Sequence, residues 1–455
     1  MNQSSNTILL HVATNTFFNT LFEYSKELRK NHFTPVLYFD NYYPLIEEDL
    51  NKLRGENLQF EIYPCRSQDH ISRSFFKKIS AVLINNARRV DYYLFDGFFF
   101  DLERQSKKYR SFQTLLTAYR VRGLIMISDL VQYDTGLLIK AAFAASIKVF
   151  LLPLFSANYK EAAEHHYYDK SLHVSRFFFS FLRSSGRLKN WVIKFRGILL
   201  IRLPLSKILV KEILGISPAC PWTINTGNAH VMMVEGEAVK RLFLAGYSYP
   251  GMKIEVIGSV NTDQLFYTLE NKANLKEQMI KRFNLSPQKK NVLVALPADM
   301  HSSRYRESEF PTYKDFIDFW LDSTKLLDKY NIVLTVHPSM SKEERDYLTD
   351  NGFNLIDKPT IMYIGLFDLY LASISATIQW AITCGIPVIN YDNYNYNYDD
   401  YMGVDGVKYV KTQKDFTSSL IEFNNYIVLE EYKKKTREHS IRMGDDGWEK
   451  YRKIY

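Results

Sequence analysis

A chain of 455 residues is longer than one hydrophobic core usually serves, and at about 100 to 200 residues per domain it calls for two domains. Apolar residues at 46% and charged residues at 24% describe an ordinary globular protein rather than a disordered or fibrous one. The net charge of +8 is modest for this length, and three widely spaced cysteines, Cys65, Cys220 and Cys384, suit neither a disulfide framework nor a zinc site.

The first apolar run, Ile8 to Ala13, has no basic region before it and is interrupted by His11, so it reads as a strand and not as a signal peptide. Leu21 to Arg29 follows as an amphipathic stretch. The apolar runs Pro35 to Phe39, Phe60 to Tyr63, Tyr92 to Phe95, Leu124 to Ile127 and Val149 to Leu152 come next, with the helical Leu137 to Ala144 before the last. Such alternation argues for βαβ units and a parallel sheet. The longest apolar stretch, Ala141 to Phe155, contains Lys148 and Pro153 and falls short of the ~20 residues that span a bilayer. The expectation is a cytoplasmic protein with no transmembrane helix.

From Ser171 to Lys211 there are nine Lys or Arg and no Asp or Glu, interleaved with Phe177 to Phe179, Phe181, Trp191 and Ile198 to Ile201. A basic helical insertion over about 171–217 follows. It matches a helix lying on anionic lipid, which would make the protein peripheral on the inner face of the cytoplasmic membrane, and equally a hairpin packed on its own domain. No nucleic-acid motif accompanies the charge. The βαβ pattern resumes with Val231 to Val234, Ala238 to Leu244 and Ile254 to Ile257.

A second domain is expected over 258–432, after a first over 1–257. Its strands are Asn291 to Leu296, Ile332 to Val336, Asp368 to Ala372 and Pro387 to Asn390. The helices between and around them are Lys272 to Phe283, Tyr313 to Lys329, Lys342 to Asn351, Thr377 to Cys384 and Phe416 to Tyr432. The tract Tyr391 to Tyr401 alternates Tyr with Asn and Asp and reads as a low-complexity segment or a sugar-binding loop. No phosphate-loop, serine-elbow or dinucleotide fingerprint occurs in a fitting context.

Two segments carry the strongest functional signal. Asn331 to Met340 is an apolar run ending in His337-Pro338, and Asp368 to Val388 runs into Ser373, Ser375 and Thr377 at a helix start. Ligands of open α/β sheets sit outside the carboxyl ends of the strands, where hydroxyls and free amides can hold phosphate. The two segments describe two neighbouring strand ends of one parallel sheet.

A His-Pro at one strand end, a Ser/Thr cluster about thirty-five residues on and then a Gly-x-Pro-Val strand start resemble the nucleotide half of GT-B glycosyltransferases. Bacterial sialyl and Kdo transferases, glycerol-phosphate polymerases and UDP-N-acetylglucosamine 2-epimerase-like families share the pattern. Val256-Ile257-Gly258-Ser259-Val260-Asn261-Thr262-Asp263 is similar to the segment that opens the second domain of that fold. The resemblance spans roughly residues 230 to 410. It implies an α/β GT-B protein with two Rossmann-like domains facing across a cleft, and a tail from Lys433 to Tyr455 that crosses back to the first domain.

It also implies a metal-independent transferase, with a nucleotide-sugar as co-substrate and no cofactor. The donor would be a CMP-linked ulosonic acid such as Kdo or a sialic acid, or a UDP-sugar. The acceptor would be a glycan or lipid-linked glycan of a bacterial capsule, O-antigen or lipooligosaccharide. A UDP-sugar 2-epimerase and a non-catalytic nucleotide-binding membrane scaffold remain alternatives.

The donor-binding candidates are His337, Pro338, Ser373, Ser375, Thr377, Gln379, Gly258, and His301 and Arg304 in the loop after Leu296. Gln379 stands where related families place a carboxylate for the ribose. A general base must come from the first domain, and Asp134, Asp129 and Asp96, each after an apolar strand, are the candidates, with Asp134 favoured. Glu161, Glu164, His165 and His166 have a spacing a metal could use, but are read as polar cleft or surface residues.

Overall fold

The computed structural model describes residues 6–40, 47–62, 97–131, 133–153, 159–175, 186, 188–227, 229–246, 249, 251–337, 339–398 and 401–443. The chain forms two compact units that divide at Ile257 and Gly258, apart from the short stretch Gly236–Ala238, which belongs with the second.

The first unit is built on a seven-stranded sheet in the order β3-β2-β1-β4-β5-β8-β9. These strands are β1 (Thr7–Val12), β2 (Thr34–Phe39), β3 (Gln59–Ile62), β4 (Gly123–Met126), β5 (Lys148–Leu151), β8 (Val231–Val234) and β9 (Lys253–Val256), all paired in parallel. Their continuous apolar runs follow from burial on both faces. Leu9 packs in one core cluster with Leu124, Leu138 and Met232, while its neighbour Leu10 packs in another with Phe18, Leu37 and Ile125. The chain leaves β1 toward β2 and β3 and returns on the other side at β4, so the strand order reverses at the carboxyl ends of β1 and β4.

The insertion differs from the helical expectation. Its described part holds an antiparallel hairpin, β6 (Val192–Phe195) and β7 (Ile198–Ile201), followed by one helix, Leu205–Leu214. Phe195 faces Ile198 across a two-residue turn in which Arg196 and Gly197 have φ of 46° and 83°. Such a turn matches the twist of a hairpin, which explains a strand pair where the basic-aromatic composition was read as helix. Trp191, Leu200 and Ile201 are buried, so these members of the expected lipid-facing stripe are core. Arg176, Phe177 to Phe179, Phe181, Arg183 and Arg187 lie outside the described residues.

The second unit is a six-stranded parallel sheet in the order β12-β11-β10-β13-β14-β15. It comprises β10 (Lys290–Leu296), β11 (Tyr330–Val336), β12 (Asn354–Leu355), β13 (Leu369–Ala372), β14 (Val388–Tyr391) and β15 (Val407–Val410). Val292, Val294 and Leu371 pack on one side, Leu293, Ala295 and Tyr370 on the other. The strand order again reverses at the central pair, here β10 and β13.

The expected late helix is two helices, Gln413–Phe423 and Tyr426–Met443. The second docks on this unit: Lys433 Nζ donates to Asp368 Oδ1 at 2.9 Å and Ser440 Oγ to the Thr383 carbonyl at 3.2 Å. Residues Lys433 to Met443, read above as the start of a crossing tail, therefore belong to the second unit's own packing, and 444–455 lie outside the described residues. The Tyr/Asn tract is not a low-complexity loop at its start. Tyr391, Asp392, Asn393 and Tyr394 are buried, with Tyr391 stacked on Trp320 and Phe416.

Candidate functional site

At the carboxyl edge of the second sheet the structure gathers most of the donor-site candidates, with one change of arrangement. His337 follows β11 and Ser373 follows β13, but β10 lies between these strands. The loop after β10, Pro297 to Arg306, therefore occupies the middle of the edge. Pro338 lies outside the described residues.

His337 is exposed, and its Nδ1 accepts from the Ser339 amide at 3.2 Å and lies 2.6 Å from Ser339 Oγ. An accepting Nδ1 places the ring proton on Nε2, which has no partner among the described residues. The protein mass around the ring lowers its pKa, so at neutral pH the imidazole is an uncharged donor.

Ser373 Oγ donates to Asn393 Oδ1 at 2.6 Å, and the Ile374 amide donates to Asn390 Oδ1 at 2.9 Å. Between the two serines Ile374 has φ of 43°, a left-handed conformation that a β-branched residue adopts only under strain. Both asparagines spend their carbonyl oxygens on this segment; the buried Asn390 Nδ2 has no hydrogen-bond partner among the described residues, and the Asn393 side chain is directed to the Tyr394 hydroxyl. Ser375 Oγ lies 2.7 Å from Thr377 Oγ1, which also contacts the Tyr370 hydroxyl. Burial pushes that phenol up to about 12, so it stays protonated. Gln379 is exposed on the following helix, Ile378–Thr383. Gly258 is buried with φ of 79°, a conformation suited to glycine, and leads into Ser259, which caps the helix Val260–Glu270.

His301 and Arg304 are bound into the protein. The His301 ring lies 2.8 Å from the Tyr394 hydroxyl and 3.3 Å from the Phe310 carbonyl. Arg304 donates to the Tyr394 carbonyl at 3.0 Å and stacks its guanidinium 3.9 Å from the Tyr396 ring centre. The sequence suggested two groups reaching for phosphate, whereas these side chains pin the Tyr/Asn tract to the loop after β10.

In the first unit Asp96 lies outside the described residues, and the other two carboxylates have different surroundings. Asp134 precedes the helix Thr135–Ala144 and belongs to a buried ionic chain that the sequence reading missed. His11 Nε2 lies 3.3 Å from Asp40 Oδ2, and Lys108 Nζ donates to Asp40 at 2.8 Å and to Asp134 at 3.0 Å. All four side chains are buried. Burial pushes Asp40 upward, but the bonds from His11 and Lys108 outweigh it and hold its carboxyl well below the usual range. Burial likewise opposes the charge on Lys108, yet Asp40 and Asp134 win and raise its pKa. Lys108 comes from the long helix Phe98–Ala118, and nothing local in the sequence ties it to acids 68 and 26 residues away.

Asp129 follows β4. Its carboxylate accepts from the Gly227 amide, and its own amide donates to Asn225 Oδ1 at 3.3 Å. A side chain at position 227 would collide with that carboxylate. Burial raises its pKa, against the opposing backbone bonds, to about 6. Asp129 lines a cavity of about 350 Å³ together with Tyr133, Ile139, Phe143, Lys211 and Ile216.

Glu164 pairs with Arg196, and the His166 ring lies 3.0 Å from the Arg202 carbonyl, so neither stands as a free ligand. The side chains of Glu161 and His165 are not among the described ones. Among the described residues no group of His, Cys, Asp or Glu is arranged to hold a metal, and no helix is long and apolar enough to cross a membrane.

No family model and no curated protein matches the sequence. Solved structures do. One is a UDP-GlcNAc 2-epimerase from Neisseria meningitidis bound to UDP-GlcNAc, similar at a TM-score of 0.51 and 14% identity over 94% of each chain. Another is the apo form of UGT2 from Phytolacca americana, at a TM-score of 0.52 and 12% identity over 96% of this chain and 95% of that one. The chain has the GT-B fold of two Rossmann-like domains, which glycosyltransferases and UDP-GlcNAc 2-epimerases share.

Proposed function

We propose that the protein is a GT-B glycosyltransferase whose second domain holds a nucleotide-sugar at the carboxyl edge of its sheet. The observation that carries this reading is the strained Ser373-Ile374-Ser375 segment, backed by the buried Asn390 amide, which has no partner among the described residues. A buried unsatisfied donor costs about 1 to 3 kcal/mol, and strain at a β-branched residue costs about as much again. Both are concentrated at the point where an open α/β sheet binds its ligands. His337 Nε2 and the hydroxyls of Ser375 and Thr377 would donate to phosphate oxygens as charge builds on the leaving group, while Ser373, whose proton goes to Asn393, holds the segment in place.

These donors are uncharged at neutral pH, and Arg304 is committed to Tyr394 and Tyr396. That suits one phosphate better than two, which favours a CMP-linked ulosonic acid over a UDP-sugar. A bacterial surface glycan as acceptor and the lack of need for a metal or cofactor rest on the sequence resemblance. So does attachment to anionic membrane, through a segment partly outside the described residues.

For the general base we favour Asp129. Asp134 is neutralised by Lys108 and sealed in the domain, whereas Asp129 exchanges its proton near neutral pH and lines a cavity that would receive the acceptor.

A melting panel of CMP, CDP, UDP, GDP and their sugars tests the reading. A true ligand at about 100 times its dissociation constant stabilises by about 2.7 kcal/mol. No stabilisation by any nucleotide would refute it. The epimerase reading is tested in the same series: UDP-GlcNAc inverted at C2 with no acceptor present would replace the transferase, and nucleotide binding without chemistry would leave a scaffold.

A further inference from the structure

The loop 219–227 is closed on itself by one side chain and ends on the Asp129 carboxylate. Thr226 Oγ1 accepts from the Cys220 amide at 3.2 Å and donates to the Cys220 carbonyl at 2.8 Å, and the Thr226 carbonyl accepts from the Ala219 amide at 3.2 Å. Thr226 is buried, so water does not replace these bonds if the hydroxyl is lost. Outside this ring, Arg202 Nε donates to the Pro221 carbonyl at 3.1 Å and Asn190 Nδ2 to the Ala219 carbonyl at 3.4 Å, which seats the loop at the open end of the hairpin β6–β7.

On its other side the loop meets the acid. Asn225 is left-handed with φ of 61°, its Oδ1 accepts the Asp129 amide at 3.3 Å, and two residues on the Gly227 amide donates to Asp129 Oδ2. Amides turned inward around a left-handed residue make a concavity that holds an anion. Gly227 shows what the turn is for. Its φ lies outside the left-handed region, so the backbone does not require glycine there, but a side chain would collide with the Asp129 carboxylate. A turn that served the fold alone would accept alanine.

We propose that Thr226 is a positioning residue for Asp129: it locks the loop 219–227 so that the Gly227 amide is held on Oδ2 and supports the negative charge a base must carry. This rests on the reading of Asp129 as general base and adds what keeps that base ready. Burial favours the neutral acid, the amides of Gly227 and Asn225 favour the carboxylate, and the balance leaves the group at about 6. Lys211 from the helix Leu205–Leu214, Lys140 from the helix Thr135–Ala144 and Tyr133 line the same cavity, and Asp134 nearby is paired with Lys108. The influences on Asp129 itself are burial and backbone amides.

The test is the infrared absorption of the protonated Asp129 carboxyl in the full chain, assigned by its loss in Asp129→Asn and followed against pH with no substrate present. Thr226→Val keeps the shape and removes the hydroxyl, Gly227→Ala pushes the amide off the carboxylate while leaving Thr226 in place, and Thr226→Ser keeps the hydroxyl. Two or three amide bonds hold a carboxylate about two units down, so the midpoint should rise by about one pH unit in Thr226→Val and in Gly227→Ala and stay at the unaltered value in Thr226→Ser. Turnover of the nucleotide-sugar that the melting panel selects should fall about tenfold at about pH 5 and recover at about pH 8, where the base is ionised again. Nucleotide affinity, which belongs to the second domain, should not change.

A midpoint that is unmoved or lowered in Thr226→Val and Gly227→Ala, or that rises equally in Thr226→Ser, would overturn the proposal. The reading of Asp129 as base fails separately. A midpoint that rises while the turnover profile does not follow keeps the clamp and removes the base. Turnover lost in Asp129→Asn, with the midpoint unmoved in both clamp variants, does the reverse.

Discussion

Lys108→Met tests the buried ionic chain of the first domain. The change keeps much of the side-chain volume and removes the ammonium that sits 2.8 Å from Asp40 and 3.0 Å from Asp134. Breaking a buried pair by deleting one partner costs about 3 to 5 kcal/mol, because the remaining charge has nowhere to go. Here Asp40 keeps His11 at 3.3 Å and Asp134 keeps Arg104 at 3.9 Å, which places the loss toward the lower end. At about 2 to 4 °C per kcal/mol for a domain of this size, the first domain should melt about 6 to 12 °C lower.

The pH dependence has a definite sign. Asp40 is depressed in the folded protein, so its contribution is present above the unfolded carboxylate range and fades as pH falls through its native value. Lys108 is raised, so its contribution is present below about 10.5 and is lost as pH rises through its native value. The unaltered chain should therefore hold this stabilisation evenly from about pH 5 to about pH 9. In the variant the stranded acids take up protons more readily, so its deficit should be smaller at about pH 5 than at about pH 8. Circular dichroism melts at the two pH values measure both quantities. Melting within about 2 °C of the unaltered protein at both would show that the chain of charges does not hold the domain.

His337→Ala and the Ser373→Ala/Ser375→Ala pair should stay folded and lose roughly ten- to a hundredfold in nucleotide affinity by calorimetry, at about 1.5 to 3 kcal/mol per charge-assisted bond. Undiminished binding in both would displace the nucleotide from this edge. Asp129→Asn should lower turnover by about a hundred- to ten-thousandfold with donor binding intact, whereas Asp134→Asn should chiefly lower the melting temperature by unbalancing Lys108. With Asp129 as base, turnover should rise with pH through about 6, since the carboxyl must lose its proton to act. A flat profile from about pH 5 to about pH 8 would move the base elsewhere. Charge reversal of Arg183, Arg187 and Lys189 should release the protein from anionic vesicles in co-sedimentation, and equal recovery with neutral vesicles would end the membrane reading.

The strands were legible because each is an apolar run that stays buried on both faces, as at Leu9-Leu10 and Val292-Leu293-Val294. The helix Phe98–Ala118 was not, because its inward face carries Gln105 and Lys108 and so looks like a solvated one. Only contacts from distant parts of the chain make those positions interior. The hairpin at Arg196-Gly197 did leave a signal, a glycine-containing pair between apolar runs, but the surrounding basic and aromatic residues suggested a helix instead. In the candidate site the His-Pro and Ser/Thr segments could be read from type and spacing. The commitment of His301 and Arg304 to Tyr394, about 90 residues on, could not.

The bond from Lys433 to Asp368 sets a timetable for synthesis. Asp368 also accepts from the Asn291 amide at 3.0 Å, at the start of the central strand, so the sheet's amino edge is completed by a residue near the far end of the chain. The first domain has all its strands once residue 257 has emerged from the ribosome. The second must wait a further 176 residues for Lys433, which at about 5 to 20 residues per second is about 10 to 35 seconds. β13 is complete at Ala372, so for the last 61 of those residues, about 3 to 12 seconds, the apolar faces of β10, β11 and β13 exist before the helix Tyr426–Met443 has packed. A pause between residues 372 and 433 therefore prolongs the exposure of those faces, whereas a pause before residue 290 does not.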